Sequence, residues 1–299
     1  MSQQRPDGGF ETTAEPARPD VTRSRLLPHH RQEELIKYGL YGFTILMLLF
    51  LWVPLFTMTF LSFAANPATI VPFEGFTLAH YAETFADGDL MSSLFNSLQV
   101  ATIAASIATV LGVLASFGLV RYEFPFKETF RTFGILPLII PGVILGLSML
   151  IFFRSVVGIT TGFLTVVLTH SVYGFPFVML PVTSRLYSFD ESLEESARDL
   201  GADTFETFRD ITLPIIAPAI GAGFLFAWIR SFEDFIRAFF VRGTTKIVTT
   251  QMYGMIKYGL GNRMNAISTL IIFLIAIALA IAMNYGNVSD YVADSDDEE

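Results

Sequence analysis

The sequence contains no cysteine among its 299 residues. Disulfide bonds, thiolate nucleophiles and cysteine-ligated metal sites are therefore excluded. No G-x-x-x-x-G-K-[ST] segment is present, and no glycine is followed directly by lysine. That loop is the usual cradle for nucleotide phosphates, so the chain has no such ATP site of its own. There is also no cluster of His, Asp and Glu at metal-ligand spacing. We therefore expect neither catalytic residues, nor a metal, nor another cofactor in this chain.

Charged residues are scarce as well, at 16% of the chain, against roughly 25% in soluble proteins. Six stretches contain no Asp, Glu, Lys or Arg: residues 38–73, 90–120, 132–153, 155–184, 211–229 and 264–289. Each is close to or above the roughly 20 residues that a membrane-spanning helix needs. A soluble chain of this size has too little polar surface to cover six such helices. The sequence thus predicts an all-α membrane protein with six transmembrane helices, the first over residues 38–63.

Polar segments flank the apolar region, residues 38–286, which we assign to one transmembrane domain. Residues 1–37 are too long and too polar for a cleaved signal peptide, and we interpret them as a flexible cytoplasmic tail. Residues 287–299 form an acidic tail. The connection over residues 64–96 contains no Lys or Arg, which suits an external loop, and its pattern predicts a short amphipathic helix around residues 78–85.

The distribution of Lys and Arg between the predicted spans gives the topology. The successive segments carry six, none, three, one, three, six and no bases. The first five values alternate as expected when basic segments stay in the cytoplasm. They place the N-terminus and residues 185–214 on that side. The six bases of residues 230–263 break the pattern. We nevertheless expect six spans, because residues 264–289 are long enough to cross, and a cytoplasmic C-terminus.

The segment over residues 185–214 is strongly charged, although it lies between two apolar spans. Ser188 stands three residues before Glu191, the spacing of a capping box at a helix start. An apolar stripe follows at helical spacing, which predicts a short amphipathic helix: Leu193, Ala197 and Leu200.

A turn and a second short helix are expected after this stripe. Gly201 stands where a left-handed residue commonly ends a helix. Asp203 or Thr204 can cap the following helix, and Pro214 is tolerable in the first turn of the fifth span. The segment is thus predicted to be a helix, a tight turn and a second helix on the cytoplasmic face.

The spacing of certain residues in this segment resembles the "EAA" loop of importer-type ABC transporter permeases. That loop reads E-A-A, three residues, G, nine residues, I, one residue and L-P, and it precedes the penultimate span. The matching residues here are Glu195, Ser196, Ala197, Gly201, Ile211, Leu213 and Pro214. Ser196 departs from the pattern, but it is also small. The resemblance extends over about residues 38–286, through "NSLQVA", "FGLVRYEFPFK" and "SFEDFIRAFFVRG". The stretches after the loop look like the second permease subunit of spermidine/putrescine-type importers, a match less specific than that of the loop.

This resemblance implies a type I ABC importer permease-like fold in the cell membrane, with a cytoplasmic coupling helix within residues 185–214. It implies that two separate ATPase subunits bind the ATP and drive alternating access. A second permease subunit (a homologue or a second copy) and an external solute-binding protein complete the assembly. Nucleic acid is not an expected partner. The favoured solute is a polyamine such as spermidine or putrescine, and similar permeases import iron, thiamine or opines.

Two acids near the outer end of the fifth span, Glu233 and Asp234, are candidates for the substrate path. Carboxylates within the membrane are costly, so they tend to be functional or paired. Arg230 and Arg237 flank them at helical spacing. The alternatives are therefore contact with a cationic solute and neutralisation within the cluster. His170, alone in an apolar stretch, is expected to be a hydrogen-bonded structural residue.

The alternative from another class is an ion-coupled secondary transporter. Such proteins place ionisable residues near the membrane midplane and often contain internal repeats. The predicted first four spans contain no Asp, Glu, Lys or Arg, and we find no convincing repeat. The spacing in residues 195–214 favours the importer permease.

Overall fold

The structure is a computed structural model that describes residues 29–66, 73–258 and 261–285. The first 28 residues of the predicted N-terminal tail and the whole acidic tail lie outside the described residues, whereas residues 29–37 belong to the first helix. The chain divides into two units, residues 1–55 and 56–299. The first unit contains most of helix α1, and the second contains the remaining helices.

The described residues form helices, together with one isolated antiparallel bridge between Ala64 and Phe76. Twelve α-helices are found among them: α1 (His29–Phe63), α2 (Ala79–Ala86), α3 (Gly88–Arg121), α4 (Lys127–Ile139), α5 (Gly142–Ile151), α6 (Phe163–Tyr187), α7 (Ser192–Asp199), α8 (Thr204–Thr207), α9 (Leu213–Phe232), α10 (Ile236–Val241), α11 (Val248–Lys257) and α12 (Gly261–Tyr285). π-Helical turns follow α5 (Phe152–Val157) and α8 (Phe208–Thr212). Helix α2 is the short helix that the sequence predicts around residues 78–85.

Five helical stretches are long and apolar enough to cross a membrane: α1, α3, α6, α12 and Thr204–Phe232, which comprises α8, the π-helical turn and α9. The third predicted span, residues 132–153, is not a single straight helix. It consists of α4 and α5, which meet at an angle of 105°. Ile140 adopts an extended ψ of 127° because the ring of Pro141 disfavours a helical residue before it. The all-helical prediction is confirmed, and the count reaches six when the bent pair is one span.

Helices α3, α6 and α9 pack closely in the centre of the second unit, and small residues make this approach possible. A Cβ atom added at Gly223 of α9 would lie 2.8 Å from the Cα atom of Val178 in α6. A Cβ atom at Gly112 of α3 would lie 2.8 Å from the Cβ atom of the same valine. Apolar attraction between helices is weak in lipid, so close van der Waals packing of this kind carries much of the association.

The two polar connections, residues 64–96 and 230–263, meet at the end of the bundle where α3 begins. The Lys246 ammonium lies 2.6 Å from the Asp89 carboxylate. The Arg263 guanidinium lies 3.4 Å from Glu83 and 3.3 Å from Asp87. Bases of the second connection are therefore paired with acids of the first. This pairing explains how the basic segment, residues 230–263, can lie at the end of the bundle where the distribution of Lys and Arg predicts few bases.

Candidate functional site

The chain turns sharply between α6 and α7 at the opposite end of the bundle. The hydroxyl of Ser188 donates to the carbonyls of Ser184 and Arg185, at 3.2 and 3.1 Å. Ser188 thus ends α6, and the predicted capping box with Glu191 is wrong because α6 continues to Tyr187 and uses this hydroxyl itself. The turn is held instead by Asp190, whose carboxylate accepts from the backbone N–H of Ser192 at 3.0 Å. Two hydrogen bonds from Ser192 lower the pKa of the Asp190 carboxyl group. The bond from the Ser192 side chain has the larger effect, and the bond from its backbone N–H has the smaller one.

Helix α7 is the predicted first helix of the charged segment, and none of its eight residues is buried. Two members of its apolar stripe are solvent-exposed, Leu193 to 45% and Leu200, at its C-terminal end, to 90%. Glu195 and Ser196 of the motif are also exposed, whereas Ala197 is half-buried. The stripe therefore does not pack beneath the membrane helices of its own chain. Leu193 and Leu200 thus form an uncovered apolar surface on a short helix.

The turn after α7 has the geometry that the sequence predicts. Gly201 has a φ angle of +97°, a conformation that a residue with a Cβ atom adopts only with strain. Its N–H donates to the Arg198 carbonyl at 2.9 Å, and the N–H of Ala202 donates to the Ala197 carbonyl at 3.0 Å. Of the two predicted caps for α8, the structure uses Asp203, which accepts from the N–H of Glu206 at 2.8 Å. Glu206 reciprocates by accepting from the N–H of Asp203 at 3.0 Å.

The remaining motif residues join this turn to the fifth membrane helix. The π-helical turn contains Ile211, which is half-buried, and leads directly into α9 at Leu213. Pro214 is the second residue of α9 and follows directly after the π-helical turn. The guanidinium of Arg185 at the end of α6 donates to the Ile215 carbonyl at 3.1 Å. The start of α9 is thereby fastened to the end of α6.

An ionic contact between α3 and α7 was not found from the sequence. Arg121, the last residue of α3, reaches Glu191 at 2.7 Å with one guanidinium nitrogen and Glu194 at 2.8 Å with the other. The same oxygen of Glu194 accepts from the hydroxyl of Thr212 at 2.6 Å. Glu194 adjoins the motif but is not part of it. The only signal in the sequence was the spacing of Glu191 and Glu194, which are three residues apart and share one helix face. This spacing does not indicate which base, 70 residues away, they would contact.

The two acids at the other end of the molecule have different environments. Asp234 is 6% exposed and pairs with Arg237 at 2.8 Å. It also caps α10 by accepting from the backbone N–H of Arg237 at 3.1 Å. The guanidinium of Arg237 stacks over the ring of Tyr173, with its carbon 3.4 Å from the ring centroid.

The side chain of Glu233, by contrast, is 44% exposed and pairs with Arg230. Arg230 also donates to the Tyr173 hydroxyl at 2.7 Å. Both flanking arginines thus pair with the acids, in agreement with the alternative in which the cluster neutralises itself. His170 is buried, and its Nδ1 atom lies 2.8 Å from the Ser231 hydroxyl, in agreement with a structural role.

The family described as "Binding-protein-dependent transport system inner membrane component" matches residues 108–288 of the sequence. This match covers more than half of the chain, including the charged segment and both of its flanking helices. The chain belongs to this family. It is accordingly a multi-pass inner-membrane permease subunit of an ABC importer, a transport component rather than an enzyme.

Members of this family from Escherichia coli (strain K12) are similar to the chain over most of its length. "Spermidine/putrescine transport system permease protein PotC" is 31% identical over 242 residues, which are 81% of this chain and 90% of that protein. "Putrescine transport system permease protein PotI" is 34% identical over 263 residues, which are 86% of this chain and 92% of that protein.

Solved structures show the same fold. A bacterial ABC transporter involved in the import of the acidic polysaccharide alginate matches with a TM-score of 0.66 and 19% identity, covering 88% of this chain and 97% of that chain. The MetNI methionine ABC transporter matches with a TM-score of 0.55 and 18% identity, covering 67% of this chain and 95% of that chain. At these identities the likeness concerns the fold alone.

Proposed function

We propose that this chain forms half of the pore of a polyamine importer and that α7 is its coupling helix. In this proposal α7 docks on a separate ATPase subunit, and closure of two such ATPases drives the membrane helices between inward-open and outward-open states. A second permease, a homologue by analogy with two-permease systems, forms the other half of the pore. An external binding protein delivers the solute. Both termini and α7 lie in the cytoplasm.

The observation that carries the proposal is the exposed apolar face of α7. Leu200 is 90% exposed and stands immediately before the left-handed Gly201. An eight-residue helix with no buried residue does little for the stability of its own chain. A short helix with exposed leucines on one face is suited to insertion into a groove on another protein. Glu195, exposed beside this stripe, supplies a charge for pairing at the edge of that groove.

The polyamine assignment rests on the two Escherichia coli relatives, which carry polyamines in their names. The amines of a polyamine are protonated at neutral pH, so a path for it benefits from accessible carboxylates. Glu233 meets this condition better than Asp234, since its side chain is 44% exposed whereas that of Asp234 is 3% exposed. We therefore infer that Glu233 contacts the passing solute and that Asp234 holds the break between α9 and α10.

Affinity purification in mild detergent tests the coupling proposal. We expect the tagged chain to retain an ATPase subunit, and Glu195→Lys to retain at least about tenfold less, a loss of roughly 1.4 kcal/mol in binding. The matched control is Glu128→Lys, the same charge reversal at an exposed position on α4, close in sequence to the end of α3. The control should retain the ATPase as the unmodified chain does. Failure of the unmodified chain to bind any ATPase, under conditions that preserve other ABC importers, would reject the proposal.

Uptake into proteoliposomes by the co-purified complex, with its binding protein, tests the solute. Spermidine and putrescine should be transported at the expense of ATP. Transport of thiamine or ferric iron, without transport of either polyamine, would reject the polyamine assignment and leave the importer assignment intact.

Glu233→Gln and Asp234→Asn are expected to have different effects in the same assay. Glu233→Gln should lower the maximal rate of spermidine uptake about fivefold, the effect of losing roughly 1 kcal/mol at the barrier. The half-saturation concentration should hardly change, because the external binding protein determines it.

Asp234→Asn should instead destabilise the fold by about 3 kcal/mol, because it leaves Arg237, whose side chain is only 11% exposed, without its ionic partner. Thermal unfolding in detergent measures this loss. If Glu233→Gln left the rate of spermidine uptake unchanged, the role of Glu233 in the path would be disproved.

A further inference from the structure

Helix α7 is too short to be held in place by its own helical structure. It has eight residues, and isolated helices of fewer than about 12 residues are marginal in water. None of its residues is buried, so apolar packing does not fasten it either. Any force that an ATPase applies to α7 must still reach the membrane helices. The contacts on the inner face of α7 therefore decide whether the helix moves alone or moves its chain.

Two adjacent glutamates of α7 face in different directions. Glu195, which belongs to the motif, is exposed. The side chain of Glu194 is only 16% exposed and is turned toward the membrane helices. Successive residues on a helix lie about 100° apart, so neighbours in sequence do not share a face. The outward glutamate is available to a partner, and the inward one is occupied within the chain.

The carboxylate of Glu194 connects three segments through short contacts. It accepts from the Arg121 guanidinium at 2.8 Å and from the Thr212 hydroxyl at 2.6 Å. Arg121 ends α3, and Thr212 is buried immediately before α9. The guanidinium of Arg121 is itself restrained, because its side chain is 18% exposed and its carbon lies 5.3 Å from the centre of the Phe189 ring. Partly buried charge-assisted hydrogen bonds of this kind are stronger and less screened than surface pairs.

We propose that Arg121, Glu194 and Thr212 form a mechanical tie that transmits the movement of α7 into α3 and α9. This inference rests on the proposed function, since it assumes that an ATPase moves α7. These three are positioning residues, because none of them needs to touch the ATPase or the solute. Glu191, whose side chain is 69% exposed, contacts the same arginine from the rim and contributes less.

Hydrogen–deuterium exchange of the chain in lipid nanodiscs tests whether the tie holds α7. Glu194→Gln removes the charge with little change in shape, and Thr212→Val removes the hydroxyl. We expect amides of Ser192–Asp199 to exchange about tenfold faster in Glu194→Gln and less markedly faster in Thr212→Val, because local opening becomes easier. Glu128→Gln is the matched control for charge and should exchange as the unmodified chain does. Unchanged exchange in both tie variants would overturn the proposal, whether or not an ATPase binds.

The same measurement on the complex with its ATPase tests transmission. In the unmodified complex, ATP with vanadate should alter exchange both in α7 and in residues 208–216. In Glu194→Gln, the response of α7 should remain, and the response of residues 208–216 should fall at least threefold. Loss of both responses would identify Glu194 as a docking residue, and retention of both would show that force travels by another route. Either result contradicts the tie.

A covalent replacement for the contact gives a second test that a merely local structural role would not pass. The chain has no cysteine, so Glu194→Cys with Thr212→Cys creates the only thiol pair in it. Joining the two with a short bifunctional thiol reagent should restore the response of residues 208–216. Failure to restore it in a complex that retains its ATPase would overturn the proposal. If the unmodified chain binds no ATPase, the proposed function is rejected, and with it the transmission of movement. The exchange experiment on the chain alone then still tests whether the three residues hold α7.

Discussion

Gly223→Ala is expected to lower the thermal unfolding midpoint of the purified chain by roughly 5 °C, a loss of about 2 kcal/mol. The added Cβ atom would lie 2.8 Å from the Cα atom of Val178 and 3.2 Å from the carbonyl oxygen of Phe177. Both are backbone atoms, which cannot rotate away as the end of a side chain can. Helices α6 and α9 must therefore separate, and the contacts along their interface weaken together. Intrinsic fluorescence of Trp228, which lies five residues further along α9, reports the transition.

Gly221→Ala provides the matched control on the same helix. A Cβ atom at Gly221 meets nothing within 4 Å. Alanine is the better helix former by roughly 0.5–1 kcal/mol, so this variant should unfold at the same temperature or slightly higher. Equal midpoints for the two variants would show that the close approach of α6 and α9 is unimportant for stability.

Gly201→Val is expected to reduce retention of the ATPase about tenfold or more while the membrane helices stay folded. A left-handed conformation costs a residue with a Cβ atom roughly 1–2 kcal/mol, and a β-branched residue is among the least tolerant. The turn at φ +97° therefore has to change, and it sets the direction of α7 relative to α8. Retention on affinity resin in mild detergent measures the effect, and circular dichroism checks that the helix content is unchanged.

Gly158→Val separates backbone strain from the loss of coupling. Gly158 also has a positive φ, +76°, with nothing within 4 Å of an added Cβ atom. It precedes α6, whose 25 residues extend over roughly 37 Å before the coupling segment begins. This variant should show a comparable loss of stability and normal retention of the ATPase. Equal loss of the ATPase in both variants would mean that strain anywhere in the chain disrupts the complex, and the specific role of Gly201 would be disproved.

Local sequence features predicted much of the local structure of the charged segment, residues 185–214, correctly. The stripe of residues 193–200 forms α7, Gly201 has a positive φ, and Asp203 caps α8, because each of these depends on residues within a few positions of one another. The capping box at Ser188 was wrong although its spacing was right. The Ser188 hydroxyl can also donate to a carbonyl in the last turn of α6, and it does so at Ser184. The spacing alone does not distinguish this bond from the capping box.

The third span contains a local signal for a break, but the prediction followed the length of the apolar stretch instead. The length of residues 132–153 was sufficient for one helix, but Pro141 breaks it and α4 meets α5 at 105°. Proline was the available clue, since it restricts the residue before it. The contact of Arg121 with Glu194 had no such clue. Two segments 73 positions apart meet only when the intervening helices have packed.

The sequence by itself determined that the chain is helical and membrane-embedded, and it located the charged segment that we propose as the coupling segment. Both conclusions depend on short-range features, namely the absence of charge over a membrane thickness and the spacing of residues 195–214. Only the tertiary structure decided which acid of each neighbouring pair is turned into the protein and which is exposed. Glu194 is turned inward and Glu195 outward, and Asp234 is buried while Glu233 is exposed. Adjacent residues of the same type have nearly the same local propensities, so their environments differ only through the helices that pack around them.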